Sequence, residues 1–271
     1  MNRHPEYAVD LEKVVLERTC GKRIPRFLLK ALNRFLRLDY INTFLTEGYE
    51  GVEFCTKCME YMGVTLIPEG LENISLPEGS KITFASNHPL GGVDGVALTG
   101  IIGTRFNGSI GLMVNDFLMY LKGLASFSIP INKLGGQSRN MPAQIRELYA
   151  TKDNVLVFPA GSCSRKIDGI VQDMPWTKSF VRFSRENGRY IVPVHFIGRN
   201  SRRFYLVDAL CKKLGIKFNL AMFFLPSELY RARGKTFRIV FGKPIPAETF
   251  DASRSDSEWA SYLRGEVYNM N

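Results

Sequence analysis

The sequence predicts an α/β domain with a central, mostly parallel sheet, preceded by an N-terminal amphipathic helical region. Three observations carry that prediction. From Lys81 onward, short apolar runs rich in β-branched and aromatic residues alternate with stretches of helical periodicity, the pattern of βαβ units. The 271 residues are 45% hydrophobic, enough for one large core and too apolar for a disordered chain. No internal repeat or low-complexity segment interrupts them, which sets aside a solenoid.

Residues 1–70 read as helical. In KRIPRFLLKALNRFLR, Lys22 to Arg37, six basic residues occur without an acidic one. Helical spacing gathers Arg26, Lys30, Arg34 and Arg37 on one side and Ile24, Leu28, Leu32 and Phe35 on the other. Such a helix suits the interface of an anionic bilayer; it suits equally a helix packed on the protein with a solvated basic face. Pro68, Gly70, Pro77 and Gly79 mark a boundary near residues 65–80. The expected division is therefore 1–70 for the helical, membrane-interface region and 71–271 for the α/β domain.

Strands are expected at Ile82–Ser86, Phe127–Ile131, Val155–Phe158, Ile191–Ile197 and Phe237–Phe241. Helical patterns at Gly95–Ile102, Met141–Ala150 and Trp176–Arg185 separate several of them, and the last stretch, Pro246 to Asn271, reads as a closing helix.

A surplus of 36 Lys and Arg over 26 Asp and Glu, net +10, favours an anionic partner: nucleic acid, an anionic membrane surface or an acidic protein. Eleven basic residues between Arg199 and Lys243 face only Asp208 and Glu228. The apolar run Phe218 to Pro226 inside that region fits either a lipid-facing surface or a buried core segment. Five cysteines and no secretory leader pattern point to a reducing, cytosolic setting. Cys55 and Cys58 read as half-buried helix residues, because no second pair or His cluster accompanies them as a metal site requires. No window of about 18 residues is apolar without charge. The best stretch, Ile110 to Ile131, is broken by Asp116 and Lys122, so the chain is not expected to span a membrane, which leaves open that it lies on one.

The chemistry centres on ASNHPLGGVDGVAL, Ala85 to Leu98, which holds one of only three histidines. His88 follows an expected strand, at the carboxyl end where α/β sheets place ligands. Residues six apart in a regular helix point to different sides, but Pro89, Gly91 and Gly92 favour a turn that lets Asp94 face His88. An Asp accepting one imidazole N–H leaves the other nitrogen to act as a general base. The competing role for Asp94 is a helix N-cap. NVLVFPAGSCSRK, Asn154 to Lys166, repeats the layout of strand and turn. It ends in Ser162, Ser164, Arg165 and Lys166, a set suited to an anion. SIPINKLGG, Ser128 to Gly136, carries Lys133 past a third strand, and YIVPVHFIG, Tyr190 to Gly198, sets Pro193 within a fourth.

The order N-H-P-x-x-x-x-D, I-P-I-N-K, F-P-A-G-S-C-S-R, I-V-P-V resembles the four blocks of the glycerolipid (1-acylglycerol-3-phosphate) acyltransferase family over Ile82 to Gly198. LRLDYINTFL, FPAGSCSRK and GIVQDMPWTKSFV resemble its lyso-ornithine and glycine-lipid O-acyltransferase branch. The resemblance implies an O-acyltransferase of membrane lipid biosynthesis that moves a fatty acyl group from an acyl carrier protein or CoA thioester to a lysolipid hydroxyl. The preferred acceptor is a lyso-aminolipid, with 1-acylglycerol-3-phosphate as the alternative. It implies His88 as base and Asp94 as its partner, with Asn87, Lys133, Gly161, Ser162, Ser164, Arg165 and Lys166 binding substrate. It also implies no cofactor or metal, and a peripheral, monotopic place on the cytoplasmic side of the inner membrane. The family has four residues between His and Asp where this chain has five, so Gly91–Gly92 is expected to loop one out. Ala160 and Cys163 replace an acidic and a basic family residue, which weakens phosphate recognition.

Readings from other classes fit less of the sequence. A hydrolase with Ser162 or Cys163 as nucleophile lacks the G-x-S-x-G elbow, and His195 reads as a core residue in an apolar strand. A nucleic-acid module finds no signature, since GGQSR at Gly135 lacks the P-loop ending. A non-catalytic lipid-binding protein would share the surface without the turnover.

Overall fold

The computed structural model describes residues 3–18, 24–115, 121–125, 128–131, 141–215 and 224–270. Four helices, α1 (Leu11–Arg18), α2 (Arg26–Leu36), α3 (Leu38–Leu45) and α4 (Gly51–Tyr61), precede the edge strand β1 (Thr65–Glu69). Then follow β2 (Ile82–Ser86), α5 (Val93–Arg105), β3 (Ile110–Asn115), β4 (Ser128–Ile131), α6 (Met141–Thr151) and β5 (Asn154–Val157). A hairpin of β6 (Arg165–Ile167) and β7 (Ile170–Gln172) leads to α7 (Ser179–Glu186) and β8 (Tyr190–Ile197). The last elements are α8 (Arg202–Lys213), α9 (Leu225–Arg231), β9 (Thr236–Phe241) and α10 (Asp256–Asn269).

The main sheet has the order β1-β9-β8-β2-β5-β3-β4, and every neighbouring pair is parallel except β8 and β9. Side chains on a strand alternate between faces, so each central strand serves two cores. Phe84, Leu156, Val192 and Val194 join the layer of α4 and α5, while Ala85, Val155, Val157 and Ile191 join that of α7 and α10. β1 carries Pro68, which is tolerated because this edge strand pairs on one side only.

The expected strands, and the expected helices before the last, occur within a few residues of their predicted ends; the closing helix, expected from Pro246, begins only at Asp256. Four strands were not expected: β1 and β3 of the main sheet and both strands of the β6–β7 hairpin. β3 lies inside the apolar stretch considered as a possible span, and β1 lies within the expected N-terminal region. That region does not form a separate unit: Phe44, Phe54, Cys55 and Met59 share one core with Phe84, Leu98 and Leu112. Close approach of α4 to α5 requires glycine, since a Cβ on Gly103 would sit 2.4 Å from a Val52 methyl. Cys55 and Cys58 are buried, not half-buried, and burial pushes the Cys58 thiol up to about 12. Among the described residues, no helix is long and apolar enough to cross a membrane.

α2 packs differently from the expected amphipathic division. Leu36 is buried and Leu32 half-buried, whereas Leu28 and Phe35, assigned to the same apolar side as Leu32, are exposed together with Phe27, Lys30 and Arg34. Arg37 takes a left-handed conformation at the helix end, with its guanidinium 4.8 Å from the Tyr230 ring centre. The helix therefore both packs on the protein and presents a mixed basic and aromatic face.

Candidate active site

β2 lies between β5 and β8, so the turn at its carboxyl end is surrounded by other strand ends. Asn87 fixes the start of that turn: its amide nitrogen donates to the Phe196 carbonyl at 3.0 Å and its oxygen accepts from Phe196 N–H at 2.7 Å. The His88 N–H donates to Asp173 Oδ1 at 3.2 Å, and the His88 carbonyl accepts from Ser164 N–H at 2.7 Å. The ring stacks on Phe158 with centroids 4.1 Å apart and planes 29° from parallel. Nδ1 stands 3.2 Å from Asp94 Oδ1, an ion-pair distance at which the ring N–H is not aligned for a regular hydrogen bond. Such contacts tighten when substrate arrives in many enzymes. The imidazole is 15% exposed and the carboxylate not at all.

Asp94 is not the helix N-cap, a place taken by Gly92; it lies in the first turn of α5 and braces the loop while it faces His88. Oδ2 accepts from Leu90 N–H at 2.8 Å and Gly91 N–H at 3.3 Å, holding the turn, while Oδ1 accepts from Gly95 N–H at 2.9 Å and faces His88. Within the turn Gly91 takes a left-handed conformation, with φ of 83°. A Cβ there would also meet Leu225 of α9 at 2.8 Å, so glycine is needed twice over.

The turn after β5 corrects the expected anion site. Arg165 is buried, with Nε 3.0 Å from Asp208 Oδ1 and Nη1 donating to Cys163 Sγ at 3.0 Å. Its guanidinium is engaged inside the protein and is not offered to a ligand. The Ser164 hydroxyl donates to Asp173 Oδ1 at 2.6 Å, and Asn87 is likewise committed to β8. Both residues position His88 from behind. Gly161 sits exposed in a left-handed turn, Ser162 is half-buried beside it, and Lys166 is exposed on β6. Lys133 lies outside the described residues.

Asp173 is the site residue that the motifs did not reveal. It is fully buried. Oδ1 accepts from His88 N–H and the Ser164 hydroxyl, and Oδ2 accepts from Trp176 Nε1 at 2.9 Å. Helix α10 closes the ring, with the Asp173 N–H donating to Tyr268 Oη at 2.7 Å and Arg264 Nη2 donating to the Asp173 carbonyl at 2.7 Å. It lies in GIVQDMPWTKSFV, a stretch that carried the family resemblance without singling out this Asp.

The rival nucleophile and base are unsuited to reaction. Burial raises the Cys163 thiol against the opposing effect of Arg165. His195 Nδ1 pairs with the Met270 carbonyl at 2.7 Å, and burial holds its ring below the usual histidine range.

A family model described as "Acyltransferase" matches residues 13–271. The chain belongs to this acyltransferase family. A lyso-glycine lipid O-acyltransferase from Phocaeicola vulgatus is 45% identical over 269 residues, covering 97% of this chain and 95% of that protein. One from Bacteroides thetaiotaomicron is 42% identical over 268 residues, covering 97% and 98%. The crystal structure of the 1-acyl-sn-glycerophosphate acyltransferase PlsC from Thermotoga maritima superposes with a TM-score of 0.50 at 16% identity, covering 96% of this acyltransferase and 87% of that chain. At that identity the likeness establishes the fold: an acyltransferase α/β sheet with helices before it.

Proposed function

We propose that this acyltransferase moves a fatty acyl group from an acyl thioester to the hydroxyl of lyso-glycine lipid in membrane lipid biosynthesis. The observation that carries the acceptor is the near full-length similarity to two lyso-glycine lipid O-acyltransferases. The geometry supplies the mechanism. With Nδ1 turned to Asp94, Nε2 lies on the opposite edge of the ring and takes the proton from the acceptor hydroxyl. The hydroxyl oxygen attacks the thioester carbonyl carbon, the C–S bond breaks, and the imidazolium returns the proton to the leaving thiolate. Asp94 stabilises the transient imidazolium, and no acyl-enzyme forms.

The lysophosphatidate alternative is weakened because the Arg165 cation expected at a phosphate is paired with Asp208. Net charge of +10 supports acyl carrier protein as donor, with CoA thioester as the other source, and supports peripheral attachment to the cytoplasmic face of an anionic inner membrane through α2. Incubation with acyl carrier protein or CoA thioesters and a panel of lyso-glycine lipid, lyso-ornithine lipid and 1-acylglycerol-3-phosphate, read by product mass, tests this. Acylated glycine lipid as the main product is expected. Phosphatidic acid as the main product would overturn the acceptor, and no transfer to any lysolipid would overturn the reaction.

A further inference from the structure

Helix α8 carries an apolar stripe that no part of the described structure covers. Leu206 and Leu210 on the helix and Leu214 at its C-terminal cap, at positions i, i+4 and i+8, are 66%, 55% and 63% exposed. The opposite face of the helix is buried: Phe204, Tyr205, Asp208 and Cys211 turn inward. Exposed Arg202, Arg203 and Lys213 share the outward side with the leucines. Three large apolar side chains in line, rimmed by cations, are costly to leave in water and match a surface that is apolar below an anionic layer.

The position of α8 ties that stripe to the reaction. Its inner face packs Phe204 and Tyr205 against Cys163, in the turn whose Ser164 N–H holds the His88 carbonyl. Its first turn is fixed to α9 by Glu228, which accepts from Ser201 N–H at 2.7 Å and from the Ser201 hydroxyl at 2.6 Å. Helix α9 in turn presses Leu225 on Gly91 of the His88 loop and stacks Phe224 edge-on against Phe35 of α2, at 5.0 Å between centroids. The helices α2, α9 and α8 thus form one connected set whose inner side supports the histidine loop and whose outer side exposes Phe27, Leu28 and Phe35 on α2 and the leucines on α8.

We propose that α8 is a second bilayer-docking element, with Leu206, Leu210 and Leu214 entering the interface and Arg202, Arg203 and Lys213 meeting anionic headgroups. This rests on the reading of the enzyme as acting on a bilayer-borne lysolipid. Docking on α8 sets the orientation in which the His88 loop faces the leaflet that holds the acceptor.

The full-length enzyme bearing Leu206→Ser, Leu210→Ser and Leu214→Ser together tests it. The three sites are exposed, and circular dichroism matched to wild type checks the fold. Partition to phosphatidylcholine vesicles containing phosphatidylglycerol is expected to fall at least about tenfold. Turnover of lyso-glycine lipid dispersed in detergent should persist. Arg203→Gln with Lys213→Gln, which leaves the leucines in place, should weaken binding to the anionic vesicles and steepen nothing on phosphatidylcholine alone. Unchanged partition of the triple variant overturns the proposal. So does a wild-type dimer that the variant converts to monomer, which makes the stripe a contact between two copies. A raised KM for acyl carrier protein with vesicle binding intact also overturns it, making the stripe a protein contact. Absence of turnover by the wild type would instead refute the assigned reaction and leave the vesicle measurement standing.

Discussion

At the amino end of β2 the Arg189 guanidinium is fully buried with all five N–H donors matched; at its carboxyl end His88 is held by its backbone while its ring is left loosely paired. Arg189 donates to Thr83 Oγ1 and to the carbonyls of Tyr149, Lys152, Ile82 and Asp153, at 2.6 to 3.1 Å. Burial lowers its pKa to about 10 against the raising effects of Tyr149 and Asp153, and the cation survives because every donor has a partner. Around His88 the hydrogen bonds of Asp173, Ser164 and Asn87 go to the main chain, to one another, or to Trp176 and Tyr268, and none goes to the imidazole. The imidazole keeps a face on Phe158, an ion-pair distance to Asp94 and a partly exposed edge. A saturated cluster locks the fold; an unsaturated one set in a rigid frame can move a proton.

That contrast breaks most sharply at His88. His88→Ala should lower acyl transfer about 10²- to 10⁴-fold. Its cost in stability should be near ~1 kcal/mol, the worth of the lost ring stacking. Steady-state rates beside a thermal melt check both, and a variant that keeps its rate would refute the base. Arg189→Met should do the reverse. Leaving several buried carbonyls without donors costs roughly 3–5 kcal/mol, read by urea unfolding, while the rate per folded molecule stays near wild type. Loss of rate without loss of stability would erase the distinction between the two ends.

Asp173 lies between the extremes, since it is saturated itself yet holds the unsaturated ring. Asp173→Asn places an amide N–H against donors it cannot accept, so His88 shifts, and kcat should fall about 10- to 100-fold with KM for the acceptor unchanged. A deficit that disappears when rates are corrected for folded protein would reduce Asp173 to a fold element. The smallest effect concerns His195, whose folded-state ring lies below its ordinary value of 6.5 because of burial. A depressed histidine contributes stability that is complete above the unfolded value and is lost as pH falls through the folded one. His195→Asn should therefore flatten the decline in stability below about pH 6.5 in denaturant titrations, leaving neutral stability nearly unchanged.

Much of this was legible before folding. The five expected strands are local runs of β-branched and aromatic residues, and their ends are marked by Pro, Gly and Asn, so short-range chemistry announces them. Two of the missing strands, both in the main sheet, escaped for local reasons too. β3, Ile-Gly-Leu-Met-Val-Asn, opens a longer apolar stretch, and β1 carries a proline that only an edge position admits. Residues 1–70 looked separable because their division from the sheet is marked by turn residues, whereas their membership in the core depends on Val52 and Cys55 meeting Gly103 and Gly100.

By itself the sequence determined the strand ends, the His88–Asp94 pair and the need for glycine where their spacing is too long. Those depend on backbone preferences acting over a few residues. Only the tertiary structure decided that Arg165 turns inward to Asp208 while Asp173, 85 positions beyond His88, holds the histidine in place. A charged side chain takes whichever partner the packed chain brings within about 3 Å, and that choice is made by elements distant in sequence.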